Sequence, residues 1–148
     1  MANNYEAELV DEIAQFQHDP LNYVKFVFPW GKGVLKDHSG PDVWQTDVLN
    51  DLAEYSAKTD RPGDLAPFME AIASGHGIGK TCLLSWIIKW FMSTRPHPQV
   101  IVTANTMEQL NSKTWRELAK WNKLSIDGHW FEWTATRFYY KKHPETWF

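Results

Sequence analysis

Ala73-Ser74-Gly75-His76-Gly77-Ile78-Gly79-Lys80-Thr81 is the stretch on which the fold reading turns. It follows the phosphate-loop pattern of Gly, four residues, then Gly-Lys-Ser/Thr, except that Ser74 stands where the first glycine belongs. Gly75 and Gly77 keep the loop rich in glycine. Glycines let consecutive backbone N–H groups turn inward and form a nest for phosphate oxygens. A helix opening directly after such a loop points its N-terminal donors and its dipole at the same anion. In that arrangement Lys80 reaches the β- and γ-phosphates, and the Thr81 hydroxyl ligates Mg²⁺. The loop reading therefore predicts a nucleotide grip built from Ser74, Gly75, His76, Gly77, Ile78, Gly79, Lys80 and Thr81. His76, at the loop's tip, reads as a loop residue rather than a catalyst.

The flanks supply the context that such a motif requires. Phe68 to Ala73 is a short apolar run carrying one acid, Glu70, and predicts a strand. Leu83, Leu84, Trp86, Ile87, Ile88, Trp90 and Phe91 predict a helix apolar on most faces, ended by Pro96 and Pro98. Gln99 to Ala104 has the β-branched profile of a buried parallel strand. Asn105 and Thr106 open a helix to about Asn122. That order predicts a βαβα unit with a right-handed crossover. Upstream, Leu9, Ile13 and Phe16 mark a helix over Tyr5 to His18, and Leu21 to Phe28 a second short element. Asp42 can cap a third helix running through Trp44, Val48, Leu49, Leu52 and Tyr55. The fold class expected is thus α/β: a partial phosphate-loop NTPase parallel sheet preceded by N-terminal helices. The expected division is a helical segment over residues 1–60 and the first part of an ATPase core over 61–148. His129 to Lys141 reads as one bent strand or a hairpin, without a placed turn.

Composition narrows the function classes. The 148 residues carry 15 Lys+Arg against 18 Asp+Glu, so binding to nucleic acid must come from a local patch. No window approaches the roughly 20 apolar residues of a membrane span. The N-terminus has no basic region followed by an apolar run, so a secretory signal is not expected. A single cysteine, Cys82, excludes an internal disulfide and fits a reducing cytoplasm. The six histidines are scattered singly, and no metal cluster is expected. The outlier is the nine tryptophans, which invite a base-stacking reading. Pairs such as Trp86 and Trp90 sit at core spacing, and packing is the simpler expectation.

Other candidates have plain structural readings. Thr106-Met107-Glu108-Gln109 fits a capping box, although its place after a strand also suits a ligand site. Lys113, Arg116, Lys120 and Lys123 recur at helical spacing. Such a stripe can hold nucleic-acid phosphates, but it also suits a solvated helix face. Phosphate-loop ATPases need an apolar strand ending in Asp or Asp-Glu to hold Mg²⁺ and polarise water. After Thr81 the nearest approach is Phe131-Glu132, which leaves Glu132 as a weak catalytic candidate.

Taken with Ser93-Thr94-Arg95-Pro96, Val102-Thr103-Ala104-Asn105-Thr106, Lys113-Thr114-Trp115, Leu118-Ala119-Lys120-Trp121 and His129-Trp130-Phe131, the loop resembles the large terminase subunit of tailed bacteriophages. The similarity runs from about Gly40 to the C-terminus. In that family an ATPase domain drives DNA into a procapsid and a nuclease domain cuts it. The resemblance implies ATP and Mg²⁺ as cofactors. It also implies an adenine-contacting role for Gln45, whose amide can donate and accept together. Double-stranded viral DNA, a portal protein and the small terminase subunit are the implied partners, in the cytoplasm of a bacterial host. The chain stops at Phe148, ahead of the family's acidic motif, its coupling elements and its nuclease domain. The expectation is the front portion of a terminase ATPase domain: an ATP-binding segment of a packaging motor that is not catalytically complete alone. Two alternatives stand beside it. One is a non-catalytic phage-derived module that binds DNA or packaging proteins, or self-associates; the other is a helicase-type ATPase fragment.

Overall fold

The computed structural model describes residues 2–58, 66–75, 77 and 79–147. The chain is mostly helical, with one small antiparallel sheet near its C-terminal end. Helix α1 (Ala2–Ala14) runs into a 3₁₀ turn at Gln15–His18, and α2 covers Pro20–Val27. Pro20 sits in the first turn of α2, and Asp19 caps it by accepting a hydrogen bond from the Asn22 backbone at 3.0 Å. Helix α3 spans Val43–Lys58 and α4 spans Lys80–Thr94. Further on, α5 (Met107–Gln109), a π-helical stretch (Leu110–Trp115) and α6 (Arg116–Leu124) follow one another without a break. The forward half of the capping box at the start of α5 forms, with Thr106 Oγ1 accepting from the Gln109 backbone at 3.1 Å.

Helix α4 is the centre of the molecule. Leu83, Trp86, Ile88 and Trp90 are buried, as its all-round apolar pattern requires. Leu9 and Ile13 of α1, Val24 and Val27 of α2, Leu49 of α3 and Leu118 of α6 complete the same core. Each such side chain contributes about 1.5–3 kcal/mol by leaving water. The expected boundary between residues 1–60 and 61–148 falls at positions outside the described residues.

Two charges lie inside this core. Lys89 Nζ is 2.8 Å from Asp127 Oδ1, and neither side chain touches solvent. The ammonium also donates to Asn122 Oδ1 at 2.9 Å and sits 4.1 Å above the Phe131 ring. Asp127 Oδ2 accepts from Tyr23 Oη at 2.8 Å and from Ser93 Oγ at 2.7 Å. Burial works to raise the Asp127 pKa, but the Lys89 charge and the donors around the carboxylate outweigh it and hold the group below its ordinary value. The pair ties α2, α4, α6 and the turn after α6 into one unit.

The parallel sheet expected from sequence is not formed. Phe68–Ala73 has no regular structure and Gln99–Ala104 only an isolated bridge at Gln99, and Met69 and Ile101 are 87% and 80% exposed. The ordered sheet is instead a meander of β1 (Phe131–Trp133), β2 (Phe138–Tyr140) and β3 (His143–Trp147). The physical reason is pairing distance. An antiparallel hairpin closes through the short turn between Thr134 and Arg137, whose backbones bond at 2.9 Å. Parallel pairing of two six-residue runs must be reached across a whole helix and gains too little from a two-stranded ribbon. The α/β class is therefore corrected to a helical assembly with an antiparallel meander. The helices on either side of the motif survive the correction, so the loop still opens a buried helix.

Candidate nucleotide-binding site

The loop conformation follows from its glycines. Gly77 has φ +86° and Gly79 φ +90°, a left-handed region that side-chain-bearing residues adopt at a cost. Gly79 is the N-cap of α4, and no side chain caps the helix there. The first N–H groups of a helix 15 residues long therefore face the loop with their dipole behind them. Lys80, the first residue of α4, folds back over that loop. Its Nζ donates to the Ser74 carbonyl at 2.7 Å, Ser74 Oγ at 2.9 Å and the Gly75 carbonyl at 3.1 Å. The two ends of the loop are thereby clamped around a positive charge. Thr81 follows, half-buried, on the first turn of α4. His76 and Ile78 lie outside the described residues.

Gln45 reaches this loop from α3. Its Oε1 accepts from the Asp42 backbone N–H at 2.9 Å, the return half of a capping box at the start of α3. Its Nε2 donates to the Gly79 carbonyl at 3.2 Å, across 34 positions of sequence. The side chain is buried, at 4% exposure, so the amide is fixed between a helix start and the loop end. One lone pair on Oε1 and one N–H on Nε2 are left over from these two bonds.

Beside Gln45 and Gly79 opens a cleft of about 680 Å³, lined also by Trp30, Trp86, Trp121 and Cys82. The three indoles pack on one another, edge to face for Trp30–Trp86 (ring centroids 5.6 Å apart) and Trp86–Trp121 (5.1 Å) and tilted for Trp30–Trp121 (5.9 Å). Trp30 Nε1 donates to the Val24 carbonyl at 2.9 Å and Trp121 Nε1 to Glu117 Oε1 at 2.8 Å. Burial, with a further push from Glu117, raises the Cys82 thiol far out of the reactive range. A volume of this size suits a nucleoside.

Sequence reasoning missed this aromatic wall. It placed Trp86 correctly in the core, but that residue is at once core and cleft lining. Trp30 and Trp121 come from a loop and from α6, and no local spacing connects them to Lys80. Two carboxylates on the cleft wall, Asp42 and Glu117, were missed for the same reason.

The remaining candidates lie elsewhere. Glu132 is exposed on β1, where it accepts from Tyr139 Oη at 3.3 Å and lies 3.7 Å from Lys141 Nζ; it is not among the residues lining the cleft. Lys113, Arg116, Lys120 and Lys123 form an exposed ridge along the π-helical stretch and α6. The donor set at the loop fits a triphosphate: backbone N–H groups, an ammonium and a hydroxyl. Among the described residues no group of His, Cys, Asp and Glu is arranged to hold a metal ion, so a cation there would rely on the Thr81 hydroxyl and the nucleotide itself. No helix of the described residues is long and apolar enough to cross a membrane. No protein-family model, curated protein or solved structure matches the chain.

Proposed function

We propose that this chain binds ATP with Mg²⁺ at the Ser74–Thr81 loop, as the nucleotide-binding part of a viral DNA-packaging motor. The observation that carries the binding reading is convergence. Lys80 from α4 and Gln45 from α3 meet the two ends of one glycine loop, and a nucleoside-sized cleft opens beside them. Lys80 then exchanges its bonds to the Ser74 and Gly75 carbonyls for phosphate oxygens, which are stronger, charged acceptors. The N-terminus of α4 adds backbone donors, and Thr81 offers the cation a hydroxyl oxygen. Gln45 turns its spare donor and acceptor to the base edge, and the indoles of Trp30, Trp86 and Trp121 supply apolar walls. The motor role rests on the resemblance to terminases, and with it come double-stranded DNA, a portal protein, the small subunit and a bacterial cytoplasm.

Calorimetric titration with ATP·Mg²⁺ tests the binding reading. The expected result is saturable binding that Lys80→Ala weakens by about 10- to 100-fold, the worth of a charge-assisted hydrogen bond to phosphate. Equal binding by both proteins, or binding by neither, overturns it.

A further inference from the structure

On the far side of α6 from the aromatic cleft lies a second opening, of about 560 Å³, between the helix and the hairpin. Lys123, His129 and Trp133 line it, and no acidic residue does. Trp133 is 38% exposed. One side of it is braced by Trp115, at a centroid distance of 6.0 Å, and by Phe138 at 5.1 Å. A half-exposed indole held this firmly is a stacking platform that costs little entropy to use. Glu132, its neighbour on β1, points to the opposite face of the strand, toward Tyr139 and Lys141. The His129 imidazole is held by Glu6 at 2.6 Å, which leaves the lysine as the mobile charge of the opening.

Lys123 lines the opening and Arg116 lies two turns before it on the same exposed face of α6, while Lys120 between them lines the aromatic cleft instead. From Arg116 to Lys123 the rise is about 10 Å. Lys113 extends the row into the π-helical stretch. Lys120 leans toward Glu117 at 3.3 Å, while Arg116 and Lys123 project into solvent. On a chain of net charge −3, this concentration of cations is local. A row of cations beside an exposed, rigid indole matches a chain of phosphates whose bases are free to stack.

We propose that the α6–β1 opening binds a single-stranded nucleic acid, with phosphates at Arg116 and Lys123 and one base stacked on Trp133. Duplex DNA fits less well, because its bases are already stacked on one another and only its phosphates would be engaged. The opening shares no lining residue with the cleft beside the glycine loop, and it works without nucleotide.

Fluorescence anisotropy with a labelled oligothymidylate, in the absence of ATP, tests the proposal on the full chain. Binding is expected at low salt, with log K falling against log salt at a slope of about −1.4 for two phosphate contacts. Arg116→Gln and Lys123→Gln should each make that slope shallower by about 0.7. Lys25→Gln, the same charge change on α2, should not alter it. Trp133→Leu should weaken binding by about 5- to 150-fold, and Trp133→Phe, which keeps a π face, should recover part of the loss. Thermal melts of each variant separate lost binding from lost folding. Four results would overturn the proposal: no binding at low salt, tighter binding to a duplex of equal length, an effect of Lys25→Gln equal to that of Lys123→Gln, or unchanged affinity in folded Trp133→Leu.

Discussion

Gln45 and Gly79 are in direct contact, and any larger residue at position 79 would have to displace the Gln45 amide. Gln45 Nε2 donates to the Gly79 carbonyl at 3.2 Å, and a Cβ built on Gly79 would lie 2.8 Å from that same nitrogen. The φ of +90° at Gly79 independently penalises any side chain. The geometry of the loop's end is therefore held jointly by a glycine and by an amide from another helix.

Gly79→Ala should consequently destabilise the protein by about 1–2 kcal/mol from backbone strain and also displace the Gln45 amide. Nucleotide affinity should fall with it, because the first turn of α4 shifts. In a Gln45→Ala background the same substitution should cost less, since the side chain it collides with is gone. A double-mutant cycle measured by thermal or urea unfolding checks this; strictly additive effects would contradict the contact.

Hydrolysis should be no more than trace. Rapid phosphoryl transfer needs a group that positions the attacking water and charge to stabilise the transition state. Of the two carboxylates on the cleft wall, Glu117 already accepts from Trp121 Nε1 and pairs with Lys120, while Asp42 sits at the start of α3. Each missing catalytic group costs on the order of 10²–10⁵-fold in rate. Steady-state phosphate release, run beside Lys80→Ala, measures this. Robust turnover lost in that variant would mean a carboxylate is acting, and Glu117→Gln, Asp42→Asn and Glu132→Gln would identify it.

The buried ion pair makes acid stability depend on Asp127. Its carboxyl is held below the ordinary value of 3.8, so the stability it contributes is present above about pH 4 and is lost as pH falls through the folded value. Asp127→Asn removes the charge that opposes the burial-driven lowering of the Lys89 pKa, so the lysine must stay charged without a counter-ion or give up its proton, at a cost of about 3–5 kcal/mol near neutral pH. The difference between wild type and variant should shrink below pH 4, as the wild-type carboxylate is protonated. Lys89→Met with Asp127→Leu should cost less than the sum of the single changes. Unfolding curves between pH 2.5 and 7 would show a pH-independent difference if the pair had no such role.

Much of the helical framework was legible because its signals are local. The Asp19 cap, Pro20, the Thr106–Gln109 box and the apolar pattern of α4 each act within one or two turns of chain. The same holds for the left-handed glycines of the loop and for Lys80, whose partners Ser74 and Gly75 are five or six residues away. The hairpin over residues 131–140 was one of the two forms expected there, but the parallel pairing expected upstream does not form. Phe68–Ala73 and Gln99–Ala104 have strand composition, but a strand exists only when a partner lies beside it, and composition does not name the partner. What only tertiary packing decided is also what joins distant positions. It brought Gln45 onto Gly79 and four tryptophans around one cleft, and it placed Tyr23, 104 positions away, against Asp127. A lysine in an apolar helix reads as a solvent contact. It becomes a core residue only because the fold delivers a carboxylate to the same buried point.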